Sequence, residues 1–166
     1  MKVRTRLLTQ VLVLHFFVAG VASAGPPETD VAASGETSMR TALGKKTVEV
    51  TFHAAKIAKS DPRFPLDLDS YNEVSVVQRM RIIVDGHVVV VPRSAFMDLF
   101  NVRKASLSRE KDLFVLSVGG ADGADLYLVR IYFDSTAVRR RAAFDPTNQK
   151  QTVEETHYRK KLTIIE

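Results

Sequence analysis

Apolar and polar residues alternate along much of this chain with a period of two. In KKTVEVTFHAAKI, residues 45–57, Val48, Val50 and Phe52 share one parity, and Thr47, Glu49, Thr51 and His53 share the other. Successive side chains of a strand point to opposite faces, so this pattern predicts a half-buried strand. EVSVVQRMRIIVDGHVVVVP, residues 73–92, repeats the pattern, with Met80, Ile82 and Val84 on one parity and Arg79 and Arg81 on the other. Asp85-Gly86 is a favoured two-residue hairpin turn, because both central positions need positive φ. That turn sets Val84 opposite His87, Ile82 opposite Val89 and Met80 opposite Val91, and side chains directly opposite share a face. Val88 and Val90 then oppose Ile83 and Arg81 on a second, partly covered face.

KDLFVLSV and DLYLVRIYF, residues 111–118 and 125–133, are apolar on both parities. Such runs suit strands covered on both faces. In TAVRRRAAFD, residues 136–145, small or apolar residues surround Arg139, Arg140 and Arg141; TVEETHYRKKLTIIE, residues 152–166, supplies a last strand. A symmetric hairpin through residues 145–151 would set Arg141 opposite Glu155 and Arg139 opposite His157. Arginine and lysine on a terminal hairpin also defend a sheet edge against pairing with another chain.

Between these strands, KSDPRFPLDLDSYN, residues 59–72, contains Pro62 and Pro65. Proline lacks the donor that a strand ladder needs, so this is a loop, long enough to cross from one sheet to another. RSAFMDLFN, residues 93–101, predicts the one short helix, capped by Ser94, with Phe96, Leu99 and Phe100 turned inward. The count is about seven to eight strands with one short helix. It predicts an all-β fold, an antiparallel β-sandwich or a partly open barrel.

The ends change the picture of organisation. Lys2, Arg4 and Arg6 precede a mostly apolar run over residues 7–21, and Ala22-Ser23-Ala24 follows. This is the three-part pattern of a secretory signal peptide, with cleavage expected after Ala24. Residues 25–43 are small, polar and Pro/Gly-containing, and read as a flexible lead-in. Residues 44–166 form a single β-domain, exported to a periplasm or secreted, with no membrane span in the mature chain.

Composition narrows the chemistry. The chain carries 24 Lys+Arg against 19 Asp+Glu, and three of those basic residues but no acidic one lie in the first 24. The mature chain therefore holds only +2, too little to call for nucleic acid. It has no cysteine, which removes thiol chemistry, thiolate metal sites and disulfides, so burial must stabilise the fold unaided.

The loop in SVGGADGADLYLVRIYF, residues 117–133, invites a functional reading. Its glycines and aspartates are what a turn between two strands demands. Asp122 and Asp125 are too few for a calcium site, which takes six to eight oxygens. Loops on β-scaffolds carry recognition, so Asp122, Asp125 and Tyr127 are candidate partner contacts. The glycine-containing run into Tyr127 resembles the inhibitory loop of bacterial periplasmic lysozyme inhibitors over a short stretch. The Gly123–Tyr127 spacing and the missing cysteines depart from that family, and no family is assigned. Arg139, Arg140 and Arg141 are the second candidate contact, as a basic stripe for a protein or an envelope polymer.

No catalytic signature emerges. Ser108–Lys111 fits Ser-x-x-Lys but lies between strands, where the serine penicillin-recognising enzymes place it on a helix. His53, His87 and His157 have no metal-ligand or triad spacing. Neither a metal nor a cofactor is expected. The leading expectation is an exported, non-enzymatic β-domain that binds a protein or an envelope-polymer partner. The alternatives are an envelope enzyme whose site assembles only in three dimensions, and a structural subunit of an envelope assembly. Oligomeric state is not encoded in any of these patterns.

Overall fold

The computed structural model describes residues 26–64, 68, 70–120, 126–145 and 147–159. The expected export signal and the 121–125 segment, with Asp122 and Asp125, lie outside the described residues. Among the described residues ten strands occur in chain order, more than the seven to eight expected: β1 (Glu28–Asp30), β2 (Gly35–Leu43), β3 (Lys46–Ala58), β4 (Glu73–Val84), β5 (His87–Val88), β6 (Val102–Glu110), β7 (Leu113–Gly120), β8 (Tyr127–Phe133), β9 (Val138–Phe144) and β10 (Thr152–His157). They form two antiparallel sheets. One is six-stranded, in the order β1-β6-β7-β8-β9-β10, and the other four-stranded, in the order β2-β3-β4-β5.

The all-β expectation holds, and alternation is its cause. Val48, Val50 and Phe52 on β3 pair with Val84, Ile82 and Met80 on β4, and all six are buried. Their shared face meets Leu107, Leu116, Val118, Val129, Ile131 and Phe133 of the six-stranded sheet in one core cluster. Each fully buried side chain of this size stabilises the fold by roughly 1.5–3 kcal/mol relative to exposure. The other face of the six-stranded sheet carries a smaller cluster of Val115, Tyr132, Ala142 and Phe144. That explains why residues 113–116 and 131–133 are apolar on both parities.

The hairpin at Asp85-Gly86 forms with the expected turn. Asp85 has φ +48° and Gly86 φ +82°, and Val84 pairs with His87 and Ile83 with Val88. The ladder then ends sooner than expected. Val89 donates to Ile82 O at 2.9 Å and is buried, but Val90 leaves the sheet. It bridges Ala137, donating to Thr136 O at 2.9 Å and accepting from Val138 N at 3.0 Å. Val88 and Val90 are more than half exposed, so the second face of this hairpin is open rather than partly covered.

Four further expectations are corrected. The stretch read as a flexible lead-in is paired: Glu28–Asp30 lies against Lys104–Ser106, and Gly35–Leu43 pairs with β3 in an unbroken register. Its inward residues alternate two threonines, Thr37 and Thr41, with Met39 and Leu43, and only Met39 is buried; Met39 and Leu43 pack into the main core cluster. The 59–72 loop returns to the same sheet, because β3 and β4 are direct neighbours. The expected helix is only a 3-10 turn, Arg93–Ala95, whose N-cap is Pro92 with no side-chain cap bond; Phe96 and Leu99 are buried as expected. Finally, β10 is shifted by one residue. A bulge between Thr152 and Glu154 places Thr156 opposite Arg141 and His157 opposite Arg140, since a bulge sets two residues of one strand against one of the other.

Candidate functional site

Of the expected contact residues, Tyr127, Arg139, Arg140 and Arg141 are described, and each has partners within the chain. Tyr127 starts β8 directly opposite Gly120. Its hydroxyl donates to Phe100 O at 2.7 Å, and its ring tilts against Phe100 with centroids 5.3 Å apart. Burial raises the Tyr127 hydroxyl well above the usual tyrosine range, and the nearby Asp98 carboxylate pushes the same way. Tyr127 is therefore a neutral packing residue that ties β8 to the segment before β6.

The three arginines diverge. Arg139 Nε pairs with Asp134 Oδ2 at 2.6 Å. Asp134 Oδ1 also accepts from the Thr136 amide, the Thr136 hydroxyl and the Ala137 amide, at 2.7, 2.7 and 2.9 Å. Burial pushes this carboxyl up, and the four bonds together outweigh that and hold it at about 2. Arg140 lies over the Tyr132 ring at 3.7 Å from its centroid and pairs with Glu155 at 3.4 Å. A guanidinium stacked on a ring keeps its charge in water while its plane shields apolar surface. Arg141 is buried on the core side. It holds Asp98 at 2.5 Å and Glu154 at 3.6 Å, and its Nε has no hydrogen-bond partner. Each arginine of the RRR run thus has its own partners within the chain, with Arg141 buried and Arg139 and Arg140 still about a third exposed.

The histidines stay apart. His53 is exposed on β3, His87 Nδ1 lies 3.1 Å from Asp85 O beside the turn, and His157 Nε2 is 2.7 Å from Glu155 on β10. Among the described residues no group of three or more His, Cys, Asp or Glu is placed to hold a metal. Ser108 and Lys111 fall on the end of β6 and in the β6–β7 turn, where Lys111 has φ +55°. The helix that a Ser-x-x-Lys nucleophile needs is not built there.

A different place is concave. A cleft of about 410 Å3 is lined by Arg63, Val76, Val77, Gln78, Arg93, Phe96 and Met97. Three segments meet to form it. The start of β4 is laced to the chain before β6 by Val77 N to Leu99 O at 3.0 Å and Asn101 N to Ser75 O at 2.7 Å. Asn101 also accepts from Ser75 N through its side chain at 2.9 Å. The Arg93–Ala95 turn is closed by Phe96 N and Met97 N, both donating to Arg93 O. That turn buries Phe96 and leaves Met97 59% exposed.

The rim of this cleft is cationic. Arg63 is oriented by Asp61, with Nε to Oδ1 at 2.9 Å and Nη2 to Oδ2 at 2.6 Å. This side-chain bonding lowers the Asp61 carboxyl to about 2. Arg93 has no ion pair among the described residues. The floor is aliphatic and aromatic, and an exposed methionine adapts to irregular surfaces. Among the described residues the lining offers aliphatic, aromatic, thioether, amide and guanidinium groups. It offers an apolar bed with a guanidinium at its edge, which suits binding.

Sequence reasoning found the inward turn of Phe96 but not the cleft. Arg63, Gln78, Arg93 and Met97 come from three segments with no shared motif, so no local signal marks them. No helix among the described residues is long and apolar enough to cross a membrane. No family model, no curated protein and no solved structure matches the chain. Fold and site together define a class: a two-sheet β-domain with an arginine-rimmed apolar cleft.

Proposed function

We propose that this chain is an exported, non-enzymatic β-sandwich domain that binds a protein or envelope-polymer partner through the cleft between β4 and the Arg93–Ala95 turn. The observation that carries the reading is the cleft lining: Arg93, with no ion pair among the described residues, beside Val76, Phe96 and an exposed Met97. An apolar floor with a cation at its rim recognises an apolar group next to a carboxylate or other anion. The N-terminal pattern of basic start, apolar run and Ala22-Ser23-Ala24 supports export.

The test uses the full-length gene product expressed with its own N-terminus. N-terminal sequencing of exported protein is expected to begin at Gly25; intact Met1 on all exported material would overturn the export half. Envelope extract is then passed over the wild-type protein and over Arg93→Glu with Met97→Asp. A bound component retained by the wild type and released by the double variant is the expected result. Equal retention by both would remove the cleft from the binding face.

A further inference from the structure

Two sheets have four edges, and three of them are protected. β1 is three residues long and β5 only two. β10 carries the bulge between Thr152 and Glu154 and exposes Glu154, Glu155 and His157. Short strands, bulges and charges are the means by which edges avoid pairing with other chains. The fourth edge, β2, has none of the geometric devices. It runs nine residues with no proline, and its register with β3 is unbroken from Gly35 to Leu43. Its outward backbone row has no partner strand among the described residues.

We propose that this edge joins two copies of the chain, β2 to β2, antiparallel about a two-fold axis at Ser38. The side chains on the solvent face of β2 select that register. Glu36, Ser38, Arg40 and Ala42 are all exposed there. Centring the pair on Ser38 sets Glu36 opposite Arg40 of the second copy, and Arg40 opposite its Glu36. Centring on Glu36 or on Arg40 sets like charges face to face, which destabilises a cross-strand pair. Within the chain, Arg40 faces Glu49 and Glu36 faces His53 across the β2–β3 ladder. The dimer therefore builds a row Glu49, Arg40, Glu36, His53 across the joint, with neighbouring signs alternating up to the last position. Neither Glu36 nor Arg40 ion-pairs within the chain among the described residues. A two-fold edge contact is self-complementary and closes at two copies, so it makes a dimer and not a fibre. Pairing over residues 35–41 spans roughly 24 Å of edge, at about 3.4 Å per residue.

The test is sedimentation of the purified full-length product from about 10 µM to about 1 mM, the range in which a small interface associates. The wild type is expected to pass from monomer to dimer, and salt is expected to weaken the dimer, because exposed charges are screened. Glu36→Lys alone and Arg40→Glu alone each set like charges opposite and are expected to raise the dissociation constant at least about tenfold. The double variant restores opposite signs and is expected to dimerise again. Mixing the two single variants is expected to give a heterodimer, since the introduced lysine of one copy then meets the introduced glutamate of the other, and the native Arg40 meets the native Glu36. Melting curves confirm that each variant is folded. If Arg40→Glu fails to fold against Glu49, Glu36→Lys and its rescue by Arg40→Gln, which removes the repulsion, carry the test. A wild type that stays monomeric at every concentration, or a dimer that Glu36→Lys leaves unchanged, overturns the proposal.

Discussion

Replacing Gly120 with alanine should destabilise this protein by an amount that depends on Tyr127. A Cβ at position 120 would lie 2.5 Å from the Tyr127 hydroxyl oxygen, 2.6 Å from Cζ and 2.7 Å from Cε1. The ring cannot swing away freely, because its hydroxyl is bonded to Phe100 O and its face is packed on the Phe100 ring. Overpacking of this kind costs about 1–3 kcal/mol, and losing the hydroxyl bond adds about 0.5–1.5 kcal/mol. Replacing glycine restricts the unfolded chain and returns about 0.4–1 kcal/mol. The net expectation is a loss of about 2 kcal/mol. Urea denaturation followed by circular dichroism measures it, in a cycle with Tyr127→Ala. Once the ring is removed, Gly120→Ala should be neutral or mildly stabilising, so the coupling between the two positions should be about 2 kcal/mol. Equal effects of Gly120→Ala with and without the tyrosine ring would refute the reasoning.

Gly86→Val should cost on the order of 1–3 kcal/mol, because Gly86 sits at φ +82° and a β-branched residue resists that region; an unchanged urea midpoint would place the strain elsewhere. Asp134 has a folded pKa of about 2, below the unfolded value of about 3.9. Its contribution is therefore complete above about pH 4 and is lost as the pH falls through the folded pKa. Asp134→Asn should flatten the fall in melting temperature between about pH 4 and pH 2, leaving the slope due to Asp61, Asp85 and Asp145, whose carboxyls are also held down. An identical slope in the variant would mean that these bonds do not discriminate the charged form.

What could be read from sequence divides along a physical line. The Asp85-Gly86 hairpin was legible because positive φ is a demand made by two adjacent residues on themselves. The β3 and β4 faces were legible because six strongly apolar residues alternate without interruption. β2 was not, since polar Thr37 and Thr41 separate Met39 and Leu43 on its inward face, and two apolar residues are too few to stand out from a polar stretch. The β10 register was missed by one residue because the bulge beside the exposed Val153 leaves no mark in composition. Arg141 looked like part of a surface stripe, yet it is buried and bonded to Asp98, 43 positions away, a pairing that no local pattern marks. The cleft lay furthest from view, assembled from loop, strand and turn with no spacing to announce it.

The pairing of β1 with β6 has a consequence in time. Among the described strands Glu28–Asp30 emerges from the ribosome first, but its partners are Lys104–Ser106. At a synthesis rate of about 5–20 residues per second, β1 waits roughly 4–15 s for the strand it joins. During that interval β2, β3 and β4 can close as a meander of near neighbours, since local contacts form before distant ones. β1 can pair only once β6 has been made, so all four strands of the smaller sheet exist before the larger sheet has its first pair.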